Sequence, residues 1–224
     1  VSAAAPGPRA PREGASGVSL AASSPAPATD TPDAAALAEE TIEHGRRVIR
    51  AEAAAVAALE GRIGPAFVAA VDAMLAATGR VVVSGVGKSG IVARKIAATL
   101  TSTGTPAHFL HPVEAMHGDL GLVGEGDVAI LLSKSGASEE LRGLMEWLGR
   151  AGVTVIALTG RVDSVLGRAA DVALDCSVAE EACPHDLAPT TSTTAALAMG
   201  DALAVALLLR RGFGRDDFAR FHPG

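Results

Sequence analysis

Five short runs of this chain read as apolar on both faces: residues 80–84, 107–110, 128–133, 153–158 and 172–175. Strands of that kind are stable only where both faces of their sheet are covered. Helices expected over 88–102, 138–150 and 164–168 separate them and supply the cover, which specifies an α/β fold with a parallel sheet. Right-handed crossovers then gather the turns after the strands at one sheet edge. An Ala-rich helix from about Thr31 to Glu60 precedes the first strand and needs a partner surface. A second helix opens at Gly64-Pro65 and is closed by Gly79, and a last one runs from about Thr190 to Arg210.

Two of the turns at that edge carry most of the functional signal. VVVSGVGKSG, residues 81–90, and VAILLSKSGASEE, residues 128–140, each run from a strand through a Gly/Ser turn into a helix. Such a turn aims unpaired backbone N–H groups at an anion. The spacing argues against a nucleoside triphosphate loop, because only Gly85, Val86 and Gly87 stand before Lys88. Gly85, Gly87 and Gly90 match G-x-G-x-x-G, but no acidic residue follows at the distance a dinucleotide site requires. A tight turn alone would also call for glycine. The second segment tips the balance, since one helix cap accounts for one hydroxyl among Ser133, Ser135 and Ser138 and leaves two for phosphate oxygens.

The 224 residues carry a formal charge of −6 and no basic run, which argues against a nucleic-acid or anionic-membrane surface. Cys176 and Cys183 are too few for a disulfide framework and lack zinc-ligand spacing, so both read as buried reduced thiols. Residues 1–32 are rich in Ala, Pro, Gly and Ser, without apolar periodicity, and read as a disordered tail. Prolines and charges interrupt every candidate signal-peptide core there. The apolar stretch 195–209 is broken by Asp201 and short for a bilayer, so a cytoplasmic protein is expected.

The segments VVVSGVGKSGIVARKIAATLTSTGTPAHFLHPVEAMHGDLG, SKSGASEE, EEACPHDLAPTTSTTAALAMGDALAVALL and FARFHPG together resemble the sugar-isomerase (SIS) domain of the arabinose-5-phosphate isomerases, in one unbroken order over residues 34–224. The resemblance implies a three-layer α-β-α sandwich with a five-stranded parallel sheet of flavodoxin-like topology. It also implies interconversion of D-ribulose 5-phosphate and D-arabinose 5-phosphate, supplying Kdo and lipopolysaccharide synthesis. A homo-oligomer, expected as a tetramer, would carry its sites at subunit interfaces. By the same resemblance Ser133, Ser135, Ser138, Ser89 and Gly87 anchor the phosphate, and Lys88, Glu140, Glu181 and His222 form the catalytic set. The family often carries a CBS pair beyond HPG, and this chain, ending there, reads as a short form or a truncated one. Two positions depart from the family's S-N-S-G-E-[ST] loop: Lys134 stands for Asn and Ala137 for Glu.

Aldose–ketose isomerisation needs a base to move a proton between C1 and C2 and a group to stabilise the enediol oxygen, and no cofactor. Glu181 is the first choice for base, although Glu180-Glu181 alone would read as a solvated pair. Glu140 supports, Lys88 neutralises anionic charge, and His222 opens the sugar ring, reaching a neighbour's site across an interface. His111, Glu114 and His117 have a spacing that could hold a metal, but none is expected, and His117 is assigned to the sugar pocket. Asp201 is read as structural. The alternatives are an SIS isomerase for a hexulose or heptose phosphate, or a sugar-phosphate-sensing module, which needs the phosphate loop without the acid/base set.

Overall fold

Residues 33–222 are described by a computed structural model. The expected tail and the final Pro-Gly lie outside them. The chain forms α1 (Ala34–Leu59), α2 (Pro65–Ala76), β1 (Val81–Gly85), α3 (Gly87–Ser102), β2 (Ala107–Phe109), α4 (Pro112–Met116), β3 (Val128–Ser133), α5 (Glu139–Arg150), β4 (Thr154–Thr159), α6 (Val165–Ala169), β5 (Val172–Asp175), α7 (Thr191–Arg210) and α8 (Arg215–Phe221). From Glu40 onward it is one compact unit, and residues 34–39 begin α1.

All five strands are parallel, in the order β2-β1-β3-β4-β5. Alternation within each strand sends neighbouring side chains to opposite faces. Val81, Val83, Ile130, Leu132, Ile156 and Leu158 meet α2, α3 and α7 in one core. Val82, Ala129, Leu131, Val155 and Ala157 meet α4, α5 and α6 in the other. The three-layer sandwich and flavodoxin-like order expected from the sequence are present.

The helices form for local reasons. In α5, Leu141, Leu144 and Leu148 share one buried face, Glu139 and Glu140 complement the amino end of the dipole, and Arg150 the carboxyl end. Each buried leucine contributes about 2 kcal/mol by area. In α7, Ala195, Met199, Leu203 and Leu207 face the core. It packs tightly on α3 at Gly200, where a Cβ would lie 2.4 Å from Ile96 Cδ1.

Among the described residues α7 alone is by itself long and apolar enough to cross a membrane, contrary to the expectation that this stretch falls short. Its full 20 residues exceed the apolar run counted in sequence, and its apolar face is used against the sheet. Asp201 ties α7 to α3 through Lys95 at 2.5 Å.

Strand order reverses between β1 and β3, because β2 lies on one side of β1 and β4 and β5 lie beyond β3. The crossovers after β1 and β3 therefore leave on opposite faces and open a crevice between their first turns. Both glycine- and serine-rich turns border that crevice.

Candidate active site

The β1 turn is built from backbone. Gly87 has φ +58, and Gly85 and Gly90 pack so closely that a Cβ on Gly90 would lie 2.6 Å from the Gly85 carbonyl oxygen. This closeness sets the amino end of α3 directly on β1, with Lys88 and Ser89 on its first turn. Lys88 is exposed and makes no hydrogen bond or ion pair with a described residue, which leaves its ammonium available.

The β3 turn is held by its own hydroxyls. Ser133 and Ser138 Oγ atoms are 2.9 Å apart, Gly136 N donates to Ser133 Oγ at 3.0 Å, and Ala137 N donates to Ser135 Oγ at 3.2 Å. Ser138 occupies the N-cap position of α5 but its side chain does not cap the helix. Two of the three hydroxyls shape the loop through backbone N–H groups, and in the first turn of α5 Leu141 N donates to the Ser138 carbonyl at 3.2 Å while the N–H groups of Glu139 and Glu140 are left for an anion. Gly136 has φ +64 and is pressed against Ser164, so a side chain there would be excluded twice over.

Glu180 and Glu181 part company. Glu180 is exposed, whereas Glu181 is 3% exposed. Glu181 Oε2 accepts from Thr190 N at 2.9 Å and Ser192 N at 3.1 Å. Oε1 accepts from the Ser192 hydroxyl and lies 2.7 Å from Lys134 Nζ. Burial disfavours the charged carboxylate, but Lys134 and the Ser192 and Thr190 bonds outweigh it and hold the group at about 2. The hydroxyl-rich start of α7 is therefore the cradle of this carboxylate.

Lys134, Ser135, Gly160, Arg161, Cys176 and Ser192 line a cavity of about 300 Å³ at the carboxyl ends of the strands. A narrower cleft with Ser89, Ser133 and Thr193 adjoins it, sharing Lys134 and Ser192. Ser89, Ser133, Ser135 and Glu181 are thus brought together from three segments, the β1 turn, the β3 turn and the loop before α7. Arg161, Cys176, Ser192 and Lys134 belong to the same site; sequence reasoning placed none of the first three there, and nothing local marks Arg161 or Cys176.

Other expected members lie apart. Glu140 is exposed on the first turn of α5 without a partner among the described residues. His117 is exposed at the carboxyl end of α4. His222 stacks on Phe218 with centroids 3.8 Å apart and lines, with Arg94, His108, Phe109 and Phe221, a groove of about 520 Å³ beside α3 and β2. Within one chain it does not meet the serine loop. Among the described residues no group of three or more His, Cys, Asp or Glu is arranged to hold a metal. His111 instead caps α4, accepting from Val113 N at 3.3 Å.

Of the two thiols, only Cys176 is buried as expected, and burial pushes it up to about 12. Cys183 is partly exposed in the turn before α7, where backbone N–H groups of Ala188, His185 and Leu187 lower it.

The SIS domain family profile matches residues 74–206. The chain is 54% identical over 82% of its length to the arabinose 5-phosphate isomerase KdsD of Pseudomonas aeruginosa, and 53% identical over 80% to that of Escherichia coli K12. It spans 56% and 55% of those two proteins, about half their length. A solved E. coli CFT073 protein, c3406 in complex with A5P, is 39% identical with a TM-score of 0.78, covering 83% of this chain and 98% of that one. With the family match spanning most of the sheet, and with the loops after β1 and β3 arranged around one cavity, the chain belongs to the SIS domain family.

Proposed function

We propose that this chain interconverts D-arabinose 5-phosphate and D-ribulose 5-phosphate. The observation that carries the reading is an ionised, buried carboxylate, Glu181, beside a cavity lined by the β3 turn and adjoined by the cleft that Ser89 of the β1 turn lines. Names of the curated relatives and the A5P complex of the E. coli neighbour support the substrate.

Phosphate is held by Ser89, Ser133, Ser135 and Ser138 with the amino ends of α3 and α5. Glu181 removes the proton from C2 of the open-chain aldose; the C–H pair becomes the C1=C2 bond, and the carbonyl oxygen O1 gains a pair and is protonated to the enediol. Loss of the O2 proton then forms C2=O2 while Glu181 returns its proton to C1, so atoms and charge balance without a cofactor. Lys88 offsets the developing oxyanion and His222 serves ring opening, arriving from another copy, while Glu140 and His117, apart from the cavity within one chain, would orient and border the sugar at an interface between copies. The physiological role would be Kdo and lipopolysaccharide supply in the cytoplasm.

The oligomer would use α1. Ile42, Ile49 and Val56 recur every seven residues and stand exposed at 47%, 67% and 37%. Glu40 and Glu43 precede Arg46, Arg47 and Arg50 along the helix, so antiparallel packing on a second copy sets opposite charges together. A tetramer follows if a second surface closes on another dimer.

One observation favours a sugar-phosphate sensor: a carboxylate held at about 2 is a weak base. A metal-free assay of D-arabinose 5-phosphate turnover, with hexose and heptose phosphate controls, decides between them. Selective formation of D-ribulose 5-phosphate supports the isomerase; tight binding without turnover supports the sensor, and turnover of a control alone reassigns the substrate.

A further inference from the structure

Glu181 has two kinds of partner. Thr190 N and Ser192 N are backbone groups at the start of α7 and cannot leave without unwinding it, and the Ser192 hydroxyl, buried beside them, is a neutral partner. Lys134 reaches Glu181 from the serine loop on a flexible stem, with its side chain 47% exposed against 0% for Glu181. It is the one charged partner free to move.

We propose that Lys134 is a substrate-responsive positioning residue: it clamps Glu181 while the site is empty, and the dianion of an arriving sugar phosphate draws its ammonium off the carboxylate. The proposal rests on the isomerase reading of the same site. Lys134 stands between Ser133 and Ser135 in the anchoring loop and, with Ser135 and Arg161, lines the cavity beside Glu181. A phosphate bound there offers the ammonium two negative charges against one on the carboxylate. Removing a charge-assisted bond from a buried carboxylate strengthens it as a base, so basicity appears when substrate is in place.

The other ionisable groups around Glu181 do not replace Lys134. Asp186, whose Oδ1 accepts Glu181 N at 2.9 Å, is itself an anion and lies 4.0 Å from Lys134 Nζ. Cys176 on the cavity wall stays a neutral thiol, Arg161 lines the cavity without an ion pair to Glu181, and α7 contributes hydroxyls and N–H groups alone. Lys134 also contributes the foremost of the interactions that hold the carboxyl down.

The test follows the Glu181 carboxyl carbon by NMR between pH 3 and 5 in the full chain, with and without sulfate, which remains a dianion over that range. Alone, the wild-type carboxyl stays ionised to pH 3. With saturating sulfate its midpoint rises by about one pH unit, and in Lys134→Met it sits equally high without sulfate and no longer responds to it. A midpoint unmoved by saturating sulfate in the wild type overturns the proposal, and this arm requires no variant to fold. In turnover assays Lys134→Met raises the acidic limb of kcat/KM toward that of kcat and raises KM about tenfold, whereas a purely structural lysine leaves both limbs in place. Absence of wild-type turnover with an intact sulfate response would sink the isomerase reading and leave the clamp standing.

Discussion

Replacing Glu181 with Gln turns the carboxylate cradle into a measurement of folding. The folded group sits at about 2 against an ordinary value of 4.5. The unfolded chain therefore binds this proton more readily than the folded one. The resulting stabilisation is complete above pH 4.5 and is lost as pH falls toward 2. At 1.36 kcal/mol per pH unit, the full contribution is about 3 kcal/mol, of which about 1 is lost by pH 3.5 and about 2 by pH 3. Glu181→Gln lacks the titration, and its mispaired amide adds a cost that does not vary with pH. Urea unfolding of both proteins from pH 6.5 downward should show a stability gap that narrows by these amounts at the lowest pH values where both transitions remain cooperative. A gap that stays constant to pH 3.5 would refute the reasoning, because it would mean the α7 donors and Lys134 do not hold the carboxylate.

Gly90→Ala should cost about 1–3 kcal/mol, since the new Cβ falls 2.6 Å from the Gly85 carbonyl oxygen and must push β1 and α3 apart. The urea midpoint should drop at unchanged m-value, and phosphate affinity should fall with it as the first anion-binding turn opens. Cys183 should be alkylated by iodoacetamide at pH 7.5 well before Cys176, as its partly exposed, lowered thiol contrasts with one buried and pushed up to about 12. Peptide mass mapping over time reads the order, and equal rates would contradict it.

The sheet was legible because runs such as 128–133 are apolar on both faces and admit only a covered, parallel arrangement; β3 and β5 occupy the expected residues, and β1 and β4 are shifted by one residue. The serine loop was legible because its residues are contiguous. The state of Glu181 was not, because Thr190 and Ser192 stand 9 and 11 residues away and Lys134 reaches it from another loop. Periodicity also passes over α4 and α8, since five and seven residues give too few turns to show a period. The burial of Cys183 failed for a similar reason, its turn being set by the positive φ of Asp186 and not by apolar content.

The order in which the chain is synthesised gives the cradle of Glu181 a further meaning. The β1 and β3 turns emerge first, Glu181 follows, and the N–H and hydroxyl donors of Thr190 and Ser192 come last. Until α7 winds, this carboxylate has no cradle to enter, and its desolvation would oppose closure of the site. Chains ending before Thr190 would thus leave the Glu181 carboxylate in water, and α7 is the element that buries it.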